Sequence, residues 1–224
     1  MLSCWSGFEL AVKNSVKRIE TDIQVSKDGI CFIIHDENLK RLTGEDVLLT
    51  KTNSKDLEKL KLKDGSPIPK LSELLIKFNN RLEWNLEIKS KSLKEADIII
   101  KEIICAEVEN KIIISSFQHE LIEHLNKKHP EFEYALLWED IPEDLSIIKQ
   151  KMIAANTRII HPEFDLIDNN FLKLCREHSW DIVPYISINK EELSSDYLEK
   201  LKLFKLAGMC TNFPIQLQTI FNEK

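Results

Sequence analysis

Hydrophobic and polar positions follow two different patterns along the chain. From Asn85 onward, short apolar runs typical of strands buried on both faces alternate with stretches of helical period. The predicted strands are 85–89, 111–117, 134–138, 158–162, 181–187 and 208–212. The predicted helices are 93–108, 120–129, 143–155, one capped at Asp168, 191–206, and a last one with Pro214 in its first turn. Six such units in a row imply a parallel sheet covered by helices.

One further unit precedes these six. The pattern predicts a helix over 8–16, a strand over 18–25, and a helix over 69–78 that leads into the strand at Asn85. The resulting seven parallel strands are one short of a closed α/β barrel, which has eight. We therefore expect an α/β TIM barrel that lacks its first β-strand, in a single domain spanning 1–224. The charge-rich stretch 51–64 is interpreted as a solvated loop and helix between a hairpin and the barrel.

Composition narrows the class of protein. The 224 residues carry 31 Lys and Arg against 37 Asp and Glu, a net charge of −6, which argues against a nucleic-acid binder. No apolar run approaches the ~18–20 residues of a membrane span, so no membrane insertion is expected. The five cysteines never form a C-x-x-C pair, and the N-terminus lacks a secretory signal. A soluble, cytoplasmic protein is the resulting expectation.

The chemistry concentrates in residues 19–36. Glu20 and Asp22 are two apart, so in a strand both project from the same face. Asp28-Gly29 between two apolar runs predicts a tight hairpin. A loop at Asp28-Gly29 sets His35 opposite Asp22, and a loop one residue earlier sets it opposite Glu20. Either register puts the imidazole on the carboxylate face.

A third acid, Glu87, lies in a predicted strand that places it on one face with Asn85 and Lys89. Catalytic groups of a barrel collect at the carboxyl ends of its strands. Three carboxylates with no soft ligand suit a hard divalent cation, Mg²⁺ or Ca²⁺, rather than zinc. Lys89 would add positive charge for an anionic substrate. A mere ion-pair network on a barrel rim is the competing interpretation.

The remaining histidines and aromatic residues have plainer interpretations. His119, His124 and His129 are five apart on a polar helix, which does not align them, so a solvated face is expected. His161, at the end of a strand, is interpreted either as a pocket residue or as part of the core. Trp138 and Tyr185 also lie at strand ends, where core packing is favoured over a role in the pocket.

The run I-E-T-D-I-Q-V-S-K-D-G-I-C-F-I-I-H-D-E-N-L, followed by I-P-K-L-S-E-L-L and N-L-E-I-K, resembles the glycerophosphodiester phosphodiesterase family. Weaker echoes follow at 115–117, 161–162 and 211–214. The resemblance implies a TIM barrel of the phospholipase-C-like phosphodiesterase type. It also implies a phosphoric diester hydrolase of glycerophospholipid catabolism that converts glycerophosphodiesters to glycerol 3-phosphate and an alcohol.

Carried over to this chain, the resemblance implies that Glu20, Asp22 and Glu87 hold the metal. His35 would be one of two acid/base histidines, and Lys89 would contact the phosphate or orient Glu87. One histidine would take the proton of the neighbouring glycerol hydroxyl, and the other would protonate the leaving alcohol. The family comparison suggests a cyclic phosphate intermediate that water then opens. The expected partner is a small-molecule glycerophosphodiester.

Four segments depart from the family pattern. The opening strand with H-R-G and the P-E-N segment are absent, T-D-x-P becomes Thr211-Asn212-Phe213-Pro214, and the W-T-V-N-type segment becomes 184–189. Without a second histidine, a weak or inactive enzyme that still binds metal is expected, since one acid/base group contributes ~10²–10⁴ in rate. An open barrel edge could be compensated by self-association into a homo-oligomer.

Two other functions compete with the phosphodiesterase. The first is a non-catalytic barrel paralogue acting as a binding or interaction protein, which the missing H-R-G favours. The second is a phospholipase of the D or C type acting on intact lipid. The sequence has no apolar rim loop that would support this lipid-directed activity.

Overall fold

The computed structural model describes residues 5–108, 111–186, 195–215 and 217–218. Its strands are β1 (Arg18–Val25), β2 (Cys31–Ile33), β3 (Glu83–Ile88), β4 (Ile112–Ser116), β5 (Glu133–Trp138), β6 (Ile159–Pro162) and β7 (Asp181–Ile182). Its helices are α1 (Trp5–Lys13), α2 (Lys40–Thr43), α3 (Ser54–Leu57), α4 (Leu71–Lys77), α5 (Leu93–Cys105), α6 (His119–Lys128), α7 (Ser146–Ala154), α8 (Asn169–Glu177) and α9 (Ser195–Leu203). Short 3₁₀ turns cover Leu49–Lys51 and Phe164–Leu166.

The strands form one sheet in the order β2-β1-β3-β4-β5-β6-β7. Every described pair is parallel except β1 with β2, which is an antiparallel hairpin. Single parallel bridges continue the ladder from Glu163 to Tyr185 and from Tyr185 to Cys210. The predicted α/β architecture, a parallel sheet wrapped by helices, is therefore confirmed.

The predicted strands near the C-terminus are shorter than expected. The segment 181–187 forms only Asp181–Ile182 and the bridge at Tyr185, and 208–212 contributes one bridge at Cys210. The helix predicted over 191–206 is present as Ser195–Leu203. Residues 1–4, 187–194 and 219–224, on which parts of these predictions fall, lie outside the described residues.

Apolar side chains on the outer face of the sheet join it to the helices. Trp84 of β3 packs edge-on against Phe8 of α1 and Phe78 at the end of α4, with ring centroids 5.8 and 6.3 Å apart. The predicted cap of α8 is also present, because Asp168 accepts a hydrogen bond from the Phe171 N–H at 2.7 Å. These contacts fix the helices that surround the sheet.

The inner face has a small apolar cluster of its own. Ile113, Ala135 and Ile159, with Val183 against them, fill the interior below the carboxyl ends of the strands. Polar side chains occupy the same face on the neighbouring strands: Asp22 of β1, Glu87 of β3 and Ser115 of β4 are partners in the ladder register. The inner face is thus carboxylate-rich on β1 and β3 and apolar on β5 and β6.

The segment between β2 and α4 is not simply solvated, which corrects the prediction for 51–64. Leu57 and Leu62 from that stretch are buried together with Phe32, Ile34, Leu39, Leu49 and Ile68 in a second core. This core lies beside the hairpin and supports it. No helix in the described part of the chain is both long and apolar enough to cross a membrane.

Candidate active site

Parallel register brings the three predicted acids together. Asp22 and Glu87 are directly paired across β1 and β3, and Glu20 lies two residues earlier on the same face of β1. One carboxylate oxygen from each lies within 4.8 Å of the others. Asp22 and Glu87 are buried, and Glu20 is partly buried. The sequence prediction of one acidic cluster agrees with this arrangement.

Lys89 follows β3 and reaches back over this cluster. Its Nζ lies 3.0 Å from Asp22 Oδ1 and 2.5 Å from Glu87 Oε1. Burial opposes the charge of the ammonium, but Glu87 and Asp22 outweigh that effect and raise the pKa of Lys89. Lys89 therefore stays charged and partly neutralises the acids.

One lysine does not balance three carboxylates. Burial raises the pKa of Glu20 well above its ordinary value, and the nearby charges of Asp22 and Glu87 add to the effect. Burial also raises the pKa of Glu87, against the opposing influence of Lys89. Negative charge at this position is thus unfavourable until a further cation arrives.

The donor set fits a divalent cation. Asp22 is only 1% exposed, and in the part of the chain that the structure describes its Oδ2 has no hydrogen-bond partner. A buried carboxylate oxygen without a partner is costly, and coordination would remove that cost. Carboxylate oxygens are the ligands that Mg²⁺ and Ca²⁺ take.

The hairpin register differs from both predicted alternatives. Ile23 pairs with Ile33 and Val25 with Cys31, so the loop has three residues, Lys27–Gly29. The Ile34 N–H donates to the Asp22 carbonyl at 2.9 Å. Continued pairing would set His35 opposite Thr21, on the other face from the acids. The prediction that strand pairing itself aligns His35 with Glu20 or Asp22 is wrong.

His35 nevertheless lies near the acids because β2 ends at Ile33 and the backbone bends at His35. A protonated His35 is close enough to lower the pKa of Glu87. Its direct partner is Asp36, with Nδ1 3.0 Å from Oδ1. Proximity therefore comes from the bend after the strand rather than from the ladder.

Asp36 is itself held by Arg41, a contact that the sequence reading missed. Arg41 donates from Nε to Oδ2 at 2.6 Å and from its terminal nitrogen to Oδ1 at 2.9 Å. These bonds lower the pKa of Asp36, so the carboxylate beside the imidazole stays ionised. The only sign of this contact in the sequence was that Arg41 follows Asp36 by five residues, across the start of α2. Gln24, which donates to the His35 carbonyl at 2.7 Å, was also missed.

Aromatic side chains lie close to Lys89. Its Nζ is 5.9 Å from the ring centroid of Phe117, which meets Tyr185 edge-on at 6.1 Å. Tyr185 donates from its hydroxyl to the Trp138 carbonyl at 3.2 Å. The indole of Trp138 itself belongs to the outer core, as predicted.

The other histidines are separate from the acidic cluster. His161 is 3% exposed, and its Nε2 has no partner within the described residues. His119 donates to the Leu137 carbonyl at 2.8 Å, His124 pairs with Asp97, and His129 pairs with Glu131. Among the described residues, the group of possible metal ligands that emerges is Glu20, Asp22 and Glu87.

A cysteine also contacts this cluster. The Sγ of Cys210 lies 4.0 Å from Glu20 Oε2. Burial raises the pKa of the thiol well above its ordinary value, and Glu20, Glu87 and Asp22 each add to the effect. The sequence reading treated the cysteines as small apolar residues. Side chains alternate between the two faces of a strand, so the predicted strand 208–212 could have indicated that the Cys210 side chain lies on the inner face of the sheet.

Comparison with known proteins finds relatives across the chain. The model of the glycerophosphoryl diester phosphodiesterase family matches residues 6–216. A glycerophosphodiester phosphodiesterase of Caldanaerobacter subterraneus is 26% identical over 97% of this chain and 89% of that protein. One of Bacillus altitudinis is 30% identical over 150 residues, which span 60% of this chain and 60% of that protein.

Solved structures share the fold. A phosphodiesterase of Oleispira antarctica, in complex with the product sn-glycerol-3-phosphate, has a TM-score of 0.83 at 20% identity, covering 97% of this chain and 90% of that one. The glycerophosphodiester phosphodiesterase of Thermotoga maritima has a TM-score of 0.70 at 24% identity, covering 92% of this chain and 86% of that one.

Proposed function

The chain belongs to the glycerophosphoryl diester phosphodiesterase family, a family of phosphoric diester hydrolases, and on that premise we propose its reaction. It hydrolyses glycerophosphodiesters to glycerol 3-phosphate and an alcohol, with Mg²⁺ or Ca²⁺ held by Glu20, Asp22 and Glu87. The observation that carries this proposal is the convergence of the three carboxylate oxygens within 4.8 Å. Family membership and this donor set support the same chemistry independently.

The cation would draw electron density from the phosphoryl oxygens and favour attack by the neighbouring glycerol hydroxyl. Lys89 binds the same anionic group, since its ammonium stays charged between Asp22 and Glu87. Its placement over the acids leaves it available to a phosphate oxygen at the site. The lysine thus contributes to substrate binding and keeps Glu87 in position.

His35 takes the proton of the attacking hydroxyl, and the leaving alcohol takes its proton from water, since the described site offers no second histidine beside the acids. The Asp36 carboxylate accepts the hydrogen bond from its Nδ1 side at 3.0 Å, which leaves the other ring nitrogen as the base. Arg41 keeps Asp36 ionised and in place. The imidazole is therefore held in a fixed orientation by an ionised carboxylate.

The test measures glycerol 3-phosphate released from glycerophosphocholine and glycerophosphoethanolamine by the full chain, with Mg²⁺, with Ca²⁺, and with EDTA. We expect release that requires the cation and falls on the order of 10²-fold or more in Asp22→Asn and Glu87→Gln, because several kcal/mol of transition-state stabilisation is lost. Asp97→Asn is the matched control, since Asp97 pairs with His124 and Lys128 on the helical layer.

Two results would contradict the proposal. One is release that EDTA leaves unchanged, which would exclude the cation. The other is absence of release from either substrate in a folded, cation-loaded protein. That second result would favour the non-catalytic barrel instead.

A further inference from the structure

Two aromatic side chains at the carboxyl ends of the strands lie beside the proposed phosphate-binding lysine. Phe117, directly after β4, has its ring centroid 5.9 Å from Lys89 Nζ, and Tyr185 meets Phe117 edge-on at 6.1 Å. Both aromatic residues are only partly buried. A substrate whose phosphate contacts Lys89 therefore has these two rings within reach of one of its ester groups.

The order of the strands places the leaving alcohol on this side of the site. His35 follows β2, Lys89 follows β3 and Phe117 follows β4, in a sheet ordered β2-β1-β3-β4. In phosphoryl transfer the attacking and leaving oxygens lie roughly in line across the phosphorus. With the attacking glycerol hydroxyl at His35, the leaving alcohol extends away from His35, toward Phe117 and Tyr185.

Hydrogen bonds hold Tyr185 in this position. Its hydroxyl donates to the Trp138 carbonyl at 3.2 Å, and its N–H donates to the Pro162 carbonyl at 3.0 Å. Its own carbonyl accepts from the Phe164 N–H at 2.9 Å. Because the protein already uses the hydroxyl proton, the side chain offers a ligand chiefly its aromatic ring. The face of such a ring is negative and attracts cations.

Negative charge surrounds Tyr185. Glu163 forms a parallel bridge with it, and Glu139 follows Trp138, whose carbonyl accepts the Tyr185 hydroxyl. Burial raises the pKa of Tyr185, and nearby carboxylates raise it further. These carboxylates are Glu163, Glu139, Glu87 and Asp140. Glu163 is partly buried and, within the described residues, has no ion-pair partner.

We propose that Phe117 and Tyr185 contact the leaving alcohol, and that with Glu163 they select diesters whose alcohol carries a positive charge, such as choline or ethanolamine. The inference rests on the proposed function and narrows its substrate class. In these alcohols a short carbon bridge joins the ammonium to the phosphate ester oxygen, so the charge lies close to the phosphate. Aromatic rings recognise ammonium groups of this kind, and an unpaired carboxylate adds attraction. Neutral polyols gain neither interaction.

The competing role for the two rings is packing. In that interpretation Phe117 and Tyr185 only support the Lys89 ammonium and close the end of the barrel. The charge of the alcohol would then have no effect on how well a diester is hydrolysed. Two esters of the same shape and different charge separate the two roles.

The first experiment compares glycerophosphocholine with its uncharged dimethylbutyl isostere, in which carbon replaces the ammonium nitrogen. The full chain is assayed with Mg²⁺ or Ca²⁺, and the kcat/KM of each ester is measured. We expect the choline ester to be favoured at least about tenfold, and this ratio to fall about tenfold in Tyr185→Leu. Tyr185→Phe keeps the ring and should keep most of the ratio. The intrinsic reactivities of the two esters cancel when the ratio is compared between chains.

The carboxylate is tested with the same pair of esters. Glu163→Gln keeps the size of the side chain and removes its charge, so the ratio should fall severalfold. The matched control is Glu177→Gln, because Glu177 lies on α8 and pairs with Lys173. Circular dichroism verifies that all variants are folded. A ratio that is the same in Tyr185→Leu, Glu163→Gln and the unmodified chain overturns the proposal.

The second experiment uses the unmodified chain and so does not depend on how a variant folds. Tetramethylammonium chloride is added to the glycerophosphocholine assay and compared with sodium chloride at the same concentration. Occupation of the ring site by the organic cation should raise KM and leave kcat unchanged. Equal KM values in the two salts would show that the site has no preference for an ammonium group and would overturn the proposal.

The outcomes distinguish this inference from the proposed function. Equal, cation-dependent hydrolysis of the choline ester and its isostere by the unmodified chain removes the selection and leaves the phosphodiesterase intact. Absence of release from every diester tested overturns both.

Discussion

Gln24 donates a hydrogen bond from Nε2 to the backbone carbonyl oxygen of His35 at 2.7 Å, near the end of β1. Gln24 is buried, and the bond joins it to the bend that carries the imidazole. The position of the proposed base is therefore fixed through its own main chain. Side-chain pairing with Asp36 then fixes the orientation of the ring.

Replacing Gln24 should affect turnover more than metal binding. Gln24→Leu removes the donor to His35, and we expect kcat to fall on the order of 10²-fold because the base is displaced from its productive position. Mg²⁺ affinity should change little. The matched control is Asn126→Leu, which removes an amide donor to the Ala155 carbonyl on another part of the fold. Equal losses of kcat in both variants would mean that Gln24 acts only through general stability.

Removing Lys89 should destabilise the protein and strengthen cation binding at once. In EDTA, Lys89→Met should lower the free energy of unfolding by about 3 kcal/mol, since Asp22 and Glu87 lose their partner. Mg²⁺ should then raise Tm more in the variant than in the unmodified chain, because the ammonium no longer competes for the same oxygens. Lys70→Met, which removes ion pairs with Glu58 and Glu73, serves as the control. A Mg²⁺-induced rise in Tm no larger for Lys89→Met than for the unmodified chain would contradict this view.

Lowering the pH should destabilise the folded protein because of His161. Burial, with a smaller effect of Arg18, lowers its pKa to about 3, below the ordinary 6.5. Between these values the unfolded chain binds a proton that the folded chain does not, so folding stability is complete above pH 6.5 and declines below it. The slope is about 1.4 kcal/mol per pH unit well below pH 6.5.

Urea unfolding at pH 7 and pH 5.5 measures this effect. His161→Leu should lose less stability than the unmodified chain on acidification, because its folded and unfolded forms no longer differ at this position. His178→Leu removes a histidine that stacks on Trp180 and controls for the loss of a histidine elsewhere in the fold. Identical pH dependence in His161→Leu and the unmodified chain would show that His161 is protonated in the folded protein.

Asp28 should stabilise the hairpin loop through its ionised form. Its carboxylate accepts hydrogen bonds from the Ser54 N–H, the Ser54 hydroxyl and the Ser26 hydroxyl at 2.7–2.8 Å. The Ser54 bonds lower its pKa to about 2. The stabilisation is therefore present above the ordinary Asp pKa and is lost as pH falls toward 2.

The corresponding variant is Asp28→Asn. We expect about 1 kcal/mol less stability at neutral pH, measured by urea unfolding, and a difference that shrinks near pH 2. The control is Asp64→Asn, because Asp64 accepts hydrogen bonds from Ser66 in another exposed turn. It tests whether the loss of any turn carboxylate has the same effect on stability. A difference that persists unchanged at low pH would argue that the charge of Asp28 is irrelevant.

The sequence alone was enough to predict that the three acids lie together, but not how His35 comes to lie near them. Glu20, Asp22 and Glu87 follow from period-two alternation on neighbouring parallel strands, a local rule that the fold obeys. The loop length depends instead on Ser54 and Thr52, which bind Asp28 and the Lys27 N–H from 25 or more residues away. A short-range turn rule cannot detect such partners, so the dipeptide Asp28-Gly29 suggested a loop one residue too short.

The same limit explains the segment between β2 and α4. Its charged residues dominate the pattern, while Leu57 and Leu62 become buried only because β2 brings Phe32 and Ile34 beside them. Cys210 and Arg41 were missed for a related reason. Each lies at the site only because the fold brings it to a partner there: Cys210 contacts Glu20, and Arg41 contacts Asp36.

The pairing of Ile23 with Ile33 and of Val25 with Cys31 also limits how this protein can diverge. A slip of this pairing by one residue would turn Phe32 and Ile34 away from the small core they share with Leu57. Insertions or deletions confined to Lys27–Gly29 leave these pairs in place. Homologues should therefore vary in length within the turn but not within the two strands that flank it, a pattern that can be read from genomes without any assay.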